Sequence, residues 1–297
     1  MKISVVLDNY NSELFIRDAI QSVLDQTRQP DELVVVDDGS ADGSVAIAEE
    51  MLAEVSWAKV VTKTNGGQLC CITEGVRHAT GDIVGLLDGD DLWREDHLEI
   101  AEKEFIKEPK LSLYSGAYQE FGERDKLWQP HYRGLLGQTF VLTMSGKSCI
   151  EGVNSALVAK RADLELLLEL PKNVIRDWFI NADNIIIWLT SMGLGKKFGG
   201  TEPTMLYRVH ANNNFKKLES HEPVAYRKVA IECFFECCKK QLSVPADIGK
   251  LLYHEFRAHP VKSPSLKKEY LKALKKSKRA LGLIEFIKGY LRIHFSK

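Results

Sequence analysis

Apolar residues over the first third of the chain alternate between two rhythms. Ile3-Ser4-Val5-Val6-Leu7 is a short apolar run, as expected of a strand buried on both faces. Ser12 then precedes Ile16, Ile20, Val23 and Leu24, spaced for one face of a helix with a serine to cap it. Leu33 to Val36 predicts a second strand, and Asp42 opens a helix through about Leu52. Lys59-Val60-Val61 predicts a third, weaker strand, and Asn65-Gly66-Gly67 leads into a helix ending near Gly81. Ile83 to Leu87 predicts the fourth strand, with a helical pattern following from Leu92. Strands alternating with helices of this length predict βαβ units, and so an α/β fold on a mainly parallel central sheet flanked by helices.

This regularity fades after about Ser115. The stretch from Gly116 to Lys147 is rich in Gly, Gln and aromatic residues and shows no clear period. Leu157-Val158-Ala159 predicts a strand, Ala182 to Met192 a helix carrying Ile185, Ile186, Trp188 and Leu189, and Pro203 to Val209 an edge strand. Beyond Phe215 the pattern is helical. The expected organisation is a domain over 1–215, changing character at about 115, and a helical extension over 216–297.

Composition narrows the class. The chain has 297 residues, 44% of them hydrophobic, enough for a sizeable core. Net charge is −1 but unevenly spread: residues 262–297 hold eleven Lys and Arg against Glu269 and Glu285. That basic tail predicts contact with an anionic surface. The acidic body argues against nucleic-acid binding, which needs a basic face across the fold. The amino terminus lacks the pattern of a signal peptide and no run of 18 apolar residues occurs, so the expected location is cytoplasmic. Cys70, Cys71, Cys149, Cys233, Cys237 and Cys238 show neither plausible disulfide spacing nor paired CxxC units, and are expected to be reduced. No signal for an oligomer is readable.

The chemistry gathers where the predicted strands end. The first runs into Asp8-Asn9-Tyr10-Asn11, the second into Asp37-Asp38-Gly39-Ser40 and the fourth into Asp88-Gly89-Asp90-Asp91. In a parallel sheet these ends share one edge, where ligands of open α/β sheets bind. Tyr10 could stack on a base there, and Asp38 could accept from a base N–H or a ribose hydroxyl. Asp88 and Asp90, two apart on an extended chain, could converge on a hard divalent cation, with Asp91 facing elsewhere. The alternative is that the acidic run opens a helix, since carboxylates favour helix N-termini. Neither GxGxxG nor GxxxxGK[ST] is present, which weighs against Rossmann dehydrogenases and P-loop enzymes.

In order along the chain, SVVLDNYN, VVVDDGSADGS, NGGQ and ATGDIVGLLDGDDLW resemble the family-2 glycosyltransferases, which have the GT-A fold. The stretch EGVNSALVAKR is similar to the small-residue loop before that family's catalytic helix. Ala182-Asp183-Asn184 resembles the place of its catalytic acidic residue, and Tyr207-Arg208-Val209-His210 resembles its late histidine. Two departures stand out: Asp8-Asn9 replaces the usual Pro-Thr, and Ala182-Asp183 replaces the usual Glu-Asp.

The resemblance implies inverting transfer of a sugar from a nucleoside-diphosphate sugar, UDP-linked, to a glycan or lipid-linked acceptor in cell-surface polysaccharide synthesis. The resemblance also implies that 1–115 is a nucleotide-binding half and 116–215 an acceptor and catalytic half. It implies donor binding by Tyr10, Asp38, Gly67, Asp88 and Gly89, a Mn²⁺ or Mg²⁺ held by Asp88, Asp90 and His210, and Asp183 as the base, with Asp177 as the rival. Other readings are transfer to a polyprenyl phosphate, nucleotidyl transfer, or a non-catalytic nucleotide-sugar binder. In the tail, Ala280, Ile284, Ile287 and Leu291 form an apolar stripe beside Lys288 and Arg292. Such a basic amphipathic helix suits either packing on the body or peripheral membrane contact through 280–297.

Overall fold

The half of the sheet that carries the acidic strand ends is built from four parallel strands. They are β1 (Ile3–Asn9), β2 (Glu32–Asp37), β3 (Ala58–Thr62) and β4 (Ile83–Asp88), in spatial order β3-β2-β1-β4. Helices α1 (Ile16–Leu24), α2 (Ser44–Leu52) and α3 (Gln68–His78) connect them. The computed structural model describes residues 1–139, 152–170, 172, 175, 182–192, 195–211, 213, 255–257, 263–276 and 287–294.

Past β4 the sheet changes character. Its order continues through β9 (Leu157–Lys160), β6 (Leu111–Gly122), β10 (Lys196–Val209) and β5 (Leu92–Trp93). Strand β9 is antiparallel to both β4 and β6, β10 is parallel to β6, and β5 is antiparallel to β10. The short strands β7 (Lys126–Trp128) and β8 (Gly134–Leu136) add to β6 and β10. Further helices among the described residues include α4 (His97–Lys107), α5 (Arg161–Leu164), α6 (Ala182–Met192), α7 (Pro264–Lys276) and a helical stretch over 287–294.

Alternation along the strands divides the core into two layers. Ile3, Val5 and Leu7 pack with Ile16, Ile20 and Val23 of α1 and with Leu98 and Phe105 of α4 on one face. Val6 and Leu86 pack with Leu69, Ile72 and Val76 of α3 and with Ile185 and Ile186 of α6 on the other. Both faces are covered, which is why the strands read as unbroken apolar runs.

Several boundaries differ from the sequence expectation, each for a local reason. The Ser12 side chain does not cap α1; its backbone carbonyl accepts from Phe15 and Ile16 N–H, both at 2.8 Å, and the helix begins at Ile16. The helical pattern at Leu92 starts instead as β5, because Leu92 and Trp93 pair with Leu206 and Met205, and α4 begins at His97. Strand β6 runs through the stretch that showed no period, since LSLYSGAYQEFG is mostly buried and has no polar face to alternate with. The edge strand expected at Pro203 is the second half of β10, an inner strand between β6 and β5 that bulges near Gly199 and Pro203.

Parts of the tail pack on the body. Leu266, Tyr270, Ala273 and Leu274 of α7, together with Ile293, are buried in the same core layer as α3 and α6. Ile287 (46% exposed) and Leu291 (47%) remain at the surface, alongside the exposed Lys288 and Arg292. Ala280, Ile284 and Phe295 lie outside the described residues, as do Cys149, Cys233, Cys237 and Cys238; Cys70 and Cys71 are free thiols. Among the described residues no helix is long and apolar enough to cross a membrane.

The α3–β1 contact is close enough to test. A Cβ at Gly75 would stand 2.2 Å from Val6 Cγ1. Alanine there gains about 1 kcal/mol of helix propensity, against about 1–3 kcal/mol for overpacking. Gly75→Ala should therefore lower stability by up to about 2 kcal/mol, read as a reduced urea midpoint at unchanged slope, and a simultaneous Val6→Ala should recover part of the loss.

Candidate active site

The register of the parallel strands sets the site. Asp8 on β1 lies opposite Asp88 on β4, and Asn9 lies opposite Asp37 on β2. Three polar strand ends thus finish level along one edge. The alternating faces place Asp8 and Asp88 on the side of Val6 and Leu86, the side covered by α3.

The β2 end is closed by its own hydrogen bonds. Asp37 Oδ1 accepts from Gly39 N–H (3.0 Å) and Ser40 N–H (2.8 Å), and Asp37 Oδ2 accepts from Asn9 Nδ2 at 2.6 Å. This is an Asx-type turn, which Gly39 completes with φ +77°. Asp38 is 3% exposed. Its carboxylate accepts from Gly66 N–H (3.0 Å) and Gly67 N–H (2.8 Å) and pairs with Lys63. Asp38 and Gly67 are thus joined to each other, with Gly67 at φ +84°. Tyr10, the residue after Asn9 at the end of β1, is 54% exposed.

At the end of β4 the three acidic residues have different work. Oxygens of Asp88, Asp90 and Asp91 lie within 4.8 Å of one another. Asp88 Oδ1 accepts from Gln68 Nε2 (3.2 Å) and Asn154 Nδ2 (3.1 Å), while Asp88 N–H donates to Ser155 Oγ at 3.0 Å. Asp91 is 1% exposed. It accepts from Ser155 Oγ at 2.6 Å and from Arg208 N–H at 2.9 Å. Gly89 donates its N–H to Asp8 O at 2.8 Å, and a Cβ there would stand 2.8 Å from Asn9 Oδ1, so only glycine fits between the two strand ends.

Strand β4 stops at Asp88, so the two-residue alternation does not extend to Asp90. A turn carries Asp90 onward, where its Oδ2 meets His210 Nε2 at 2.9 Å. His210 comes from the end of β10, 120 residues later. Its N–H donates to Asn213 Oδ1 at 2.5 Å, and Asn213 Nδ2 donates to Arg208 O at 3.0 Å. Arg208 donates from Nε to Asp90 O at 2.9 Å, reaches Asp18 at 3.1 Å, and lies between the rings of Phe15 and Phe121. Asn212 and Asn214 lie outside the described residues.

Crowded carboxylates in a partly dry cleft resist ionisation. Asp88 is pushed up to about 6, first by burial and then by the charge of Asp90. Asp8 and Asp91 are also raised well above the usual carboxylate range, again by burial first. Asp8 Oδ1 and Asn154 Oδ1 are sealed from solvent without a hydrogen-bond partner. A set of carboxylate oxygens plus one imidazole suits a hard divalent ion such as Mn²⁺ or Mg²⁺, and a positive charge would offset the burial and repulsion that raise these carboxyls.

Asp183 sits in the first turn of α6. The N–H of Ala182, beside it, donates to Gln68 Oε1 at 3.4 Å, so the start of α6 is fastened to the start of α3. Tyr118 is raised first by burial and then by the charges of Glu120, Asp91 and Asp183, so its hydroxyl lies within electrostatic reach of all three acidic groups. Asp177 lies outside the described residues. Sequence reading passed over Gln68, Asn154, Ser155 and Arg208 as functional residues. All four stand inside segments already singled out, NGGQ, EGVNSALVAKR and YRVH, but their polar partners lie 20 to 118 positions away and are invisible along the chain.

Comparison with known proteins agrees with this architecture. The model of glycosyl transferase family 2 matches residues 4–161. An uncharacterized glycosyltransferase of Nostoc sp. is 31% identical over 218 residues, covering 72% of this chain and 66% of that protein. One of Rickettsia conorii is 25% identical over 201 residues, 68% of this chain but 32% of its own length. The chain thus spans less than two thirds of these relatives. Among solved structures, S. aureus TarS 1–349 in complex with UDP-GlcNAc shares the fold with a TM-score of 0.59 at 16% identity, covering 99% of this chain and 79% of that one. The mannosyltransferase PcManGT from Pyrobaculum calidifontis, in complex with GDP-Man and Mn²⁺, has a TM-score of 0.52 at 18% identity, covering 97% and 77%. The strand-end chemistry, the GT-A type α/β sheet and the match over more than half its length place this chain in glycosyl transferase family 2.

Proposed function

We propose that this protein transfers a sugar, with inversion, from a nucleoside-diphosphate sugar to a hydroxyl of a glycan or lipid-linked acceptor, in the building of a cell-surface polysaccharide. The observation that carries this reading is the meeting of Asp90 with His210 beside Asp88, three ligand-type side chains from two distant segments at one strand edge. A UDP-sugar is the donor favoured by the likeness to TarS bound to UDP-GlcNAc. Tyr10 and the Asp38–Gly67 junction would receive the nucleoside, and Asp88 with the backbone at Gly89 would receive ribose and diphosphate.

Asp88, Asp90 and His210 would hold Mn²⁺ or Mg²⁺; when bound, such an ion supplies Lewis-acid stabilisation of the leaving diphosphate. Asp183 takes the acceptor hydroxyl proton as the new C–O bond forms on the sugar face opposite the breaking bond to phosphate. Arg208 and Asn213 hold His210 against Asp90. The buried contacts of Asp91 keep β10 and the 154–156 turn beside the end of β4.

Asp183→Asn should fold as the parent does, retain nucleotide binding and lose about 10²–10⁴ in turnover, measured as sugar transferred to an acceptor glycan. Retained turnover would shift the role to Asp177 or another group.

The raised carboxyl values set the pH response of the ion-free protein. A carboxyl with a folded pKa above its unfolded value stabilises the fold at low pH, and that contribution is lost as pH rises through the folded value. For Asp88 the window runs from the ordinary 3.8 to about 6. Because an ion must displace the proton, the rise in melting temperature produced by Mn²⁺ should be small at pH 5 and larger at pH 7. Asp90→Ala should abolish it at both.

The exposed Ile287, Lys288, Leu291 and Arg292 would meet an anionic bilayer. Since Ile293 anchors the same helix in the core, the test uses surface changes alone. Ile287→Ser, Leu291→Ser and Lys288→Glu together should preserve the melting temperature and weaken cosedimentation with phosphatidylserine vesicles; unchanged cosedimentation would remove the membrane role.

A further inference from the structure

We propose that Gln68 is a positioning residue that ties the donor carboxylate Asp88 to the first turn of the helix carrying Asp183. This rests on the reading of the site given above and adds a link between its two halves. Gln68 is the first residue of α3, directly after the left-handed Gly67. Its side-chain amide spans the cleft: Nε2 donates to Asp88 Oδ1 at 3.2 Å, and Oε1 accepts from Ala182 N–H at 3.4 Å. One planar group therefore touches the carboxylate at the end of β4 on one side and the start of α6 on the other.

The chemistry of both ends requires an amide. Ala182 is fully buried, and an N–H in the first turn of a helix has no intrahelical acceptor, so its partner must come from elsewhere. Asp88 lies beside the acidic Asp8 and Asp90, and its Oδ1 is held by two amide donors, Asn154 Nδ2 at 3.1 Å and Gln68 Nε2 at 3.2 Å, of which, among the described residues, only Gln68 also reaches α6. Glutamate would serve Ala182 but present a second negative charge to Asp88. Lysine would serve Asp88 but leave the Ala182 N–H orphaned. Asparagine is one methylene too short to serve both. Glutamine alone meets Asp88 with N–H and Ala182 with oxygen. When donor and ion draw on Asp88, the same amide fixes where α6 begins, and Asp183 is the next residue along.

The experiment compares Gln68→Ala, Gln68→Asn and Gln68→Glu with the parent protein. Melting temperature is measured first, then kcat and KM for donor, and the partition between sugar transfer and hydrolysis of the donor by water. A positioning role predicts that Gln68→Ala lowers transfer kcat by roughly ten- to a hundredfold with a smaller fall in hydrolysis. Gln68→Glu should chiefly raise donor KM. Parental kcat in Gln68→Ala, or transfer and hydrolysis falling together in step with melting temperature, would overturn the proposal.

A second readout needs no turnover. In the parent, Mn²⁺ with UDP should slow amide hydrogen exchange at residues 183–186 by on the order of tenfold. In Gln68→Ala the same addition should leave exchange there unchanged; equal slowing in both proteins would overturn the link. If Asp183→Asn keeps full turnover, the assignment of the base fails, while this exchange comparison still decides the role of Gln68.

Discussion

The buried carboxylate of Asp91 is the tie on which the site depends. One of its oxygens accepts from Ser155 and the other from the backbone of Arg208, so a single side chain joins the end of β4, the 154–156 turn and the end of β10. Ladder pairing does not join β4 to β10, because β9 and β6 lie between them in the sheet, and Asp90 adds two further bridges through Arg208 and His210. Breaking one side of such a buried, hydrogen-bonded carboxyl is costly since the remaining group is left without solvent. Its neighbours Asp88 and Asp90 are thereby left with spare lone pairs for a ligand. Three consecutive-looking acids thus divide into one that builds and two that face the cleft.

Much of this was legible in the sequence, and the reasons it stopped being so are physical. The four parallel strands announce themselves because helices cover both of their faces, leaving apolar runs punctuated by polar ends. The level placement of Asp8, Asp37 and Asp88 then follows from the parallel connection. Strand β6 was hidden because Ser112, Ser115, Gly116 and Ala117 are small and buried rather than alternately polar. Strand β10 was cut short because a bulge interrupts its register near Pro203. The partners of Asp88 could not be read at all: Gln68 and Asn154 look like ordinary polar residues until the fold sets them on one oxygen.

The departure Asp8-Asn9 also becomes intelligible. Asn9 is consumed in the turn that closes β2, a structural role. Asp8 stands in register with Asp88 and adds a carboxyl to a cleft that already holds three. Electrostatic repulsion among these groups favours whatever brings positive charge to the cleft. Gly89 lets the two strand ends approach closely enough for this crowding to occur.

The clasp of Asp38 on Gly66, Gly67 and Lys63 has a thermodynamic corollary. A glycine-containing loop ordinarily samples many backbone states, and immobilising it at the moment of association would subtract entropy from the affinity. Here the chain freezes that loop during its own collapse into the native state. The cost of rigidity is charged to folding, and an incoming nucleotide meets a receptor whose shape has already been decided.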